Sequence, residues 1–209
     1  MWRMNAADTS ISFDARNLNE LATVRQGYHF RKKIEPDPTG NTYVIQASDI
    51  SQSREVSSAY LVAVKGSKIK PTYHLSPGSI LVKSRGTNYS AAEFNIPGIT
   101  AVAAYHFIVV TITSQDIVPG YLCWYINRPE TQYELSLQAG GSYIKALPAK
   151  ALESLHVPIP PMKHQELIVN VIRLAQQEAS LIDEIKTTRD QVIQSILNSS
   201  VSGQIRIQP

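Results

Sequence analysis

The 209-residue chain has one cysteine, Cys123, so it can close no internal disulfide and build no thiolate zinc site of its own. That usage fits a reducing, intracellular setting. The chain also lacks the loops of cofactor and nucleotide enzymes. There is no Gly-x-Gly-x-x-Gly, no Gly-x-x-x-x-Gly-Lys-(Ser/Thr), no Gly-x-Ser-x-Gly and no Asn/Asp-Pro-Pro-aromatic motif. Excess charge is small, 20 lysines and arginines against 17 acids for a net of +3, which excludes a binder that works by bulk charge. No apolar leader opens the sequence. The longest apolar stretch, Ile96 to Thr113, is broken by Pro97, Gly98 and His106, and its β-branched content suits two neighbouring strands rather than a membrane span. A cytoplasmic protein without a membrane partner is expected.

Catalytic signals are equally scarce. Ser142-Tyr143-Ile144-Lys145 and Ser67-Lys68-Ile69-Lys70 match Ser-x-x-Lys, but the companion motifs of that chemistry are missing. Glu184-Ile185-Lys186 lies mid-helix without the acid pair a nuclease needs. His29, His74, His106, His156 and His164 show no metal-ligand spacing. His106 reads as a hydrogen-bonded core residue in an apolar strand, and Cys123 as a buried small side chain. No catalytic residue, metal site or cofactor is expected.

What is present divides the chain at Pro158-Ile159-Pro160-Pro161. Before it, Tyr43–Ala47, Ala59–Val64, Ser79–Lys83 and Tyr105–Ile112 are β-branched or aromatic runs of strand length. Gly40-Asn41, Pro77-Gly78 and Pro97-Gly98 mark turns, and Gly120–Asn127 and Pro129–Leu137 read as helices. The fold class is therefore α+β, a mixed α/β domain over residues 1–160 with a curved sheet. After it, residues 161–200 read as one long helix and 201–209 as a tail. Ile168, Val171, Ile172, Ala175, Ala179, Ile182, Ile185, Val192 and Ile196 recur at three- and four-residue steps, an apolar stripe interrupted by Arg189. At 1.5 Å per residue the helix runs about 55 Å, more than one small domain covers. The length favours a partner helix over a helix bent back on its own domain.

Charge is unevenly placed. Arg25, Arg31, Lys32 and Lys33 cluster without an intervening acid, and Val56 to Ala92 carries five basic residues and no acid. Two such segments can form one phosphate-facing surface. Solvated charged loops give the same one-dimensional signature.

In order along the chain, Leu21-Ala22-Thr23-Val24-Arg25-Gln26-Gly27-Tyr28, Tyr43–Ile50, Pro77-Gly78-Ser79-Ile80-Leu81-Val82-Lys83-Ser84-Arg85-Gly86-Thr87, Pro119-Gly120-Tyr121-Leu122, Gly140-Gly141-Ser142 and Leu155–Gln165 form a series. This series resembles half of a type I restriction-modification specificity subunit: one target recognition domain and one spacer helix. Ser79 stands where that family's hairpin usually has aspartate. The resemblance implies a non-catalytic subunit that reads double-stranded DNA. It also implies N6-adenine DNA methyltransferase partners, with a restriction (translocase/nuclease) subunit optional and every cofactor held by those partners. Because a full subunit has two such halves, it further implies a homodimer through an antiparallel coiled coil of the long helices. The nine stripe residues would form that contact, and each copy would read one half-site.

Under this likeness Arg85 is a candidate reader of guanine and Asn88 of adenine. A turn arginine that binds only phosphate or neighbouring backbone fits Arg85 equally well. Arg25, Arg31, Lys32, Lys33 and Lys83 suit phosphate contacts. Tyr28, His29, Thr87, Tyr89, Ser142, Tyr143 and Lys145 complete the candidate DNA-binding set, although Tyr143 suits a core position as well. Rival readings are a stand-alone dimeric DNA-binding regulator without a methyltransferase, and an interaction protein in which only the helix acts.

Overall fold

The computed structural model describes residues 13–50, 56, 58, 61–86, 88–140 and 145–201. These divide into two compact units, one reaching Glu166 and one starting at Leu167.

The first unit is mixed α+β. Its strands are β1 (Ala15–Asn17), β2 (Ala22–Gln26), β3 (Thr42–Ile45), β4 (Val62–Val64), β5 (Ser79–Lys83), β6 (Ala91–Phe94), β7 (Ala101–Ala103), β8 (Phe107–Ile112) and β9 (His156–Pro158). Its helices are α1 (Leu18–Leu21), α2 (Pro119–Ile126), α3 (Pro129–Gln138) and α4 (Ala149–Glu153). The long helix α5 (Met162–Val201) opens in this unit and makes up the described part of the second. Proline precedes or opens α2, α3, α4 and α5, where its missing N–H costs no hydrogen bond.

The described residues make three sheets. An antiparallel sheet runs β2-β8-β5-β6, a second runs β4-β3-β7 with β3 and β7 parallel, and β1 pairs with β9. The apolar run from Ile96 does hold two consecutive strands, but they part company. The backbone turns at Tyr105-His106, closed by Phe107 N–H donating to the Ala104 carbonyl at 3.0 Å. That turn sends β7 into one sheet and β8 into the other. His106 therefore sits in a turn and is half-buried, not in a core strand, and Cys123 is likewise half-buried.

The two larger sheets pack through Leu81, Phe94, Phe107 and Val109 on one side and Ile45, Ala101 and Ala103 on the other, all fully buried. Strand alternation turns Ile80, Val82, Ile108 and Val110 to the opposite face, where α2 packs on β5 and β6 and α4 packs on β2. Tyr121 and Tyr125 of α2 donate from their hydroxyls to the carbonyls of Pro158 and His156 at 2.9 and 3.0 Å, so α2 also holds β9.

Two side-chain amides extend the edge of the main sheet. Asn127 accepts from the Ala91 N–H at 3.0 Å and donates to the Ala91 carbonyl at 2.9 Å. Gln132 does the same for Tyr89, at 2.9 and 3.0 Å. Each amide mimics a neighbouring strand and pins the segment that enters β6.

Gln165 ties the start of α5 to the domain and is fully buried. Its Nε2 donates to the carbonyls of Asp116 and Pro160, both at 2.8 Å, and its Oε1 accepts from the Val118 N–H at 2.9 Å. Gln165→Leu keeps the bulk but leaves an N–H and two carbonyls without that partner. The expected loss is about 2–4 kcal/mol of domain stability, read as a lower urea midpoint at unchanged slope. An unaltered midpoint would refute the role.

Candidate nucleic-acid interface

The local fold gathers one cationic and aromatic cluster from segments far apart in sequence. Gly27 follows β2 and crosses so close to the next turn that a Cβ on it would overlap the Ala104 carbonyl. Its N–H donates to Phe107 at 2.8 Å, and the Tyr28 N–H donates to Ala103 at 2.7 Å. This close approach delivers His29 to the Tyr105-His106 turn. The His29 ring meets Tyr105 edge-on at 5.2 Å, and Tyr105 lies 4.0 Å from the His106 ring.

The loop leaving β5 reaches the same turn from the other side. Ser84 donates to the His106 carbonyl from both its N–H and its hydroxyl, each at 2.8 Å. Arg85 then places its guanidinium over the Tyr105 ring, with Cζ 5.3 Å from the centroid. Gln26 completes the support, its Nε2 donating to the Tyr105 carbonyl and, at 3.1 Å, to that of Phe107. Arg85 and His29 are exposed and Tyr105 is half-exposed. The result is an arginine oriented by a ring face, a cation–π contact that leaves its donor fork without a hydrogen-bond acceptor among the described residues.

Other candidates surround this cluster. Asn88 is exposed on the β5–β6 loop. Arg85 also pairs in a backbone bridge with Ala146, which brings the exposed Lys145 alongside. Arg31, Lys32 and Lys33 are exposed on the segment that continues from His29. Lys83 is half-exposed at the end of β5. Thr87, Ser142 and Tyr143 lie outside the described residues.

Three expectations change. Tyr89 is only 2 % exposed, because the Gln132 amide pairs with its backbone and its ring joins the core. It is not available to a ligand. Arg25 is turned inward: its Nη2 donates to the carbonyls of Tyr73 and His74 at 3.0 and 3.3 Å, with Cζ 5.5 Å from the Tyr73 ring. Its Nη1 is buried with no hydrogen-bond partner among the described residues, and burial lowers its pKa. Arg25 is thus a strut between β2 and the turn Pro71–Tyr73. Tyr28 is half-buried, edge-on to Phe30 and Tyr73 at 4.7 and 5.1 Å, and packs beside Val44 and Val102.

Sequence reasoning missed Tyr105 and misplaced His106. The available signal was a polar aromatic pair interrupting an apolar run, which marks a turn between strands. No group of three or more possible metal ligands occurs among the described residues, and none of their helices is long and apolar enough to cross a membrane.

On α5 the stripe residues Val171, Ala175, Ala179, Ile182, Ile185, Val192 and Ile196 are exposed, and Ile168 and Ile172 half-buried. Leu167, Leu174, Leu181, Ile193 and Leu197 are exposed as well and widen the apolar face beyond the residues chosen from the sequence.

Comparisons agree on one family. The model of the type I restriction modification DNA specificity domain matches residues 11–194. A solved chain from a study of complex assembly and conformational transition of the type I R-M system superposes with a TM-score of 0.64 at 16% identity, over 95% of this chain and 48% of its own. The HsdS subunit from Thermoanaerobacter tengcongensis gives 0.59 at 16% identity, over 97% and 48%. The type I S subunit from M. genitalium gives 0.57 at 14%, over 91% and 46%. These likenesses establish the fold, and this chain spans about half the length of each. No curated protein compared matches the chain.

The His106 imidazole is held below its ordinary pKa, first by burial and second by the Arg85 charge. It is neutral at pH 7, with one donor and one acceptor. The unfolded chain protonates this residue first, so stability falls as the pH drops from about 6.5 towards the lower folded value. Thermal melting between pH 7 and 5 should show that fall in the wild type and a shallower one in His106→Gln. Parallel curves would contradict the assignment.

Proposed function

The chain belongs to the family of type I restriction-modification DNA specificity domains, and from that premise we propose that it reads DNA sequence as a half-length specificity subunit. The observation that carries the reading is Arg85, exposed and stacked on Tyr105 beside His29 and the neutral His106. An arginine fork so oriented suits the O6 and N7 acceptors of guanine in a major groove, and Asn88 suits adenine. Arg31, Lys32, Lys33, Lys83 and Lys145 supply phosphate contacts that fix register without specifying sequence. Thr87, Ser142 and Tyr143 belong to the same loops by sequence.

The chain acts as a recognition subunit and carries no chemistry of its own. Two copies joined through the exposed apolar face of their α5 helices restore the content of a full-length subunit. Each copy reads one half-site, so the target is an interrupted inverted repeat. N6-adenine DNA methyltransferase subunits dock on this dimer, and a translocating nuclease subunit can join them. Methyl donor, ATP and magnesium belong to those partners, and the assembly works in the cytoplasm.

Long-read methylation mapping of the host with the gene present, deleted or carrying Arg85→Ala tests this reading. Deletion should erase N6-methyladenine at one interrupted palindrome. Arg85→Ala should weaken or relax methylation at a single G·C position in each half-site, by roughly tenfold to a hundredfold in site preference. A methylome indifferent to deletion would count against the function. One indifferent only to Arg85→Ala would count against the assigned reader.

A further inference from the structure

The apolar face of α5 carries two charges on its seam. Counted in sevens, one row runs Ile168, Ala175, Ile182, Arg189, Ile196 and the other Val171, Glu178, Ile185, Val192, Ser199. Each row contains one charged residue. From Leu167 onward no apolar residue of the helix is buried. Glu178 is exposed, and the Arg189 guanidinium is exposed with the adjacent Asp190, at 3.1 Å, as its one ion-pair partner among the described residues.

In an antiparallel helix pair related by a two-fold axis, each layer sets a residue of one row against a residue of the partner's other row. We infer that two copies of this chain pair about an axis between Asp183 and Glu184, the register in which Glu178 meets the partner's Arg189. The inference rests on the homodimer reading above and adds its register. The same register sets Ile182 against the partner's Ile185, Ala175 against the partner's Val192 and Val171 against the partner's Ile196. Both seam charges are matched, and the matching occurs twice by symmetry.

Neighbouring registers fail on charge. A slip of one heptad one way sets Glu178 against the partner's Ile182 and Arg189 against the partner's Val171. A slip the other way sets Glu178 against the partner's Ile196 and Arg189 against the partner's Ile185. Either slip buries two unmatched charges per copy, which is strongly unfavourable in an apolar seam. Glu178 and Arg189 therefore act as the register-setting pair. The choice has a functional consequence, because it fixes the separation of the two helix starts. At 1.5 Å per residue the two Leu167 positions lie about 50 Å apart along the pair, and a one-heptad slip changes this by about 10 Å, on the order of three base pairs.

Charge exchange in the full chain tests the register, with sedimentation velocity as the readout and helical circular dichroism as the folding control. Wild type should sediment as a dimer. Glu178→Arg and Arg189→Glu should each weaken dimerisation by roughly tenfold or more, since each sets like charges opposite one another twice. The double variant should recover, and so should an equimolar mixture of the two single variants, because a mixed dimer restores both pairs. Single variants that dimerise like wild type would overturn the register and leave the homodimer standing. Weakened singles that neither the double variant nor the mixture rescues would also overturn it. A wild-type chain that stays monomeric at tens of micromolar would overturn the homodimer reading together with its register.

Discussion

Ala103, Tyr105, His106 and Phe107 accept backbone or side-chain hydrogen bonds from segments that lie more than twenty or seventy positions away, and the exposed cluster of His29, Arg85 and Tyr105 depends on that junction. Gly27 and Tyr28 donate to Phe107 and Ala103. Ser84 donates to His106 from the opposite side, and Ala104 itself donates to the Ile45 carbonyl at 2.9 Å. One tight turn thereby joins the two large sheets, the end of β2 and the loop after β5. Any residue with a side chain at position 27 would force these backbones apart. Glycine is required there for space, since its φ is ordinary. Tyr105, at the centre of the junction, is the one aromatic ring in contact with both His29 and Arg85 among the described residues.

The same logic explains what the amino-acid order reveals by itself. The strand Ser79–Lys83 is legible because Pro77-Gly78 marks its start, and Gly78 takes the positive φ of 84° that such a turn requires. Helices α2 and α3 are legible from the prolines that open them. The long helix is legible from its three- and four-residue apolar steps. These are local signals, settled by residues a few positions apart.

Partners distant in sequence settle the rest. The parallel pairing of β3 with β7 leaves no local trace, because both are short apolar runs that fit several sheet positions. Arg25 and Tyr89 look like surface ligands in a basic, polar context. Yet the carbonyls of Tyr73 and His74 capture one, and the amide of Gln132 draws the other into the core. A basic segment read in one dimension mixes struts with exposed cations. Only burial separates Arg25 from Arg31, Lys32 and Lys33.

That separation also divides the side chains that pack from the side chains that are presented. Arg85, Asn88, Lys145 and the Arg31–Lys33 run are all exposed, so replacing these side chains removes little packing. The amide clamps at Asn127 and Gln132 grip backbone atoms of Ala91 and Tyr89 and hold the loop base whatever side chains the loop tip presents. A loop fixed at its base by main-chain contacts can change its exposed side chains at low cost to the fold. The exceptions are Gln26 and Ser84, whose side chains donate to the carbonyls of Phe107 and His106 and so hold the turn itself. Substitution at those positions alters stability and the placement of the exposed cluster together, and that coupling distinguishes the scaffold from the side chains it presents.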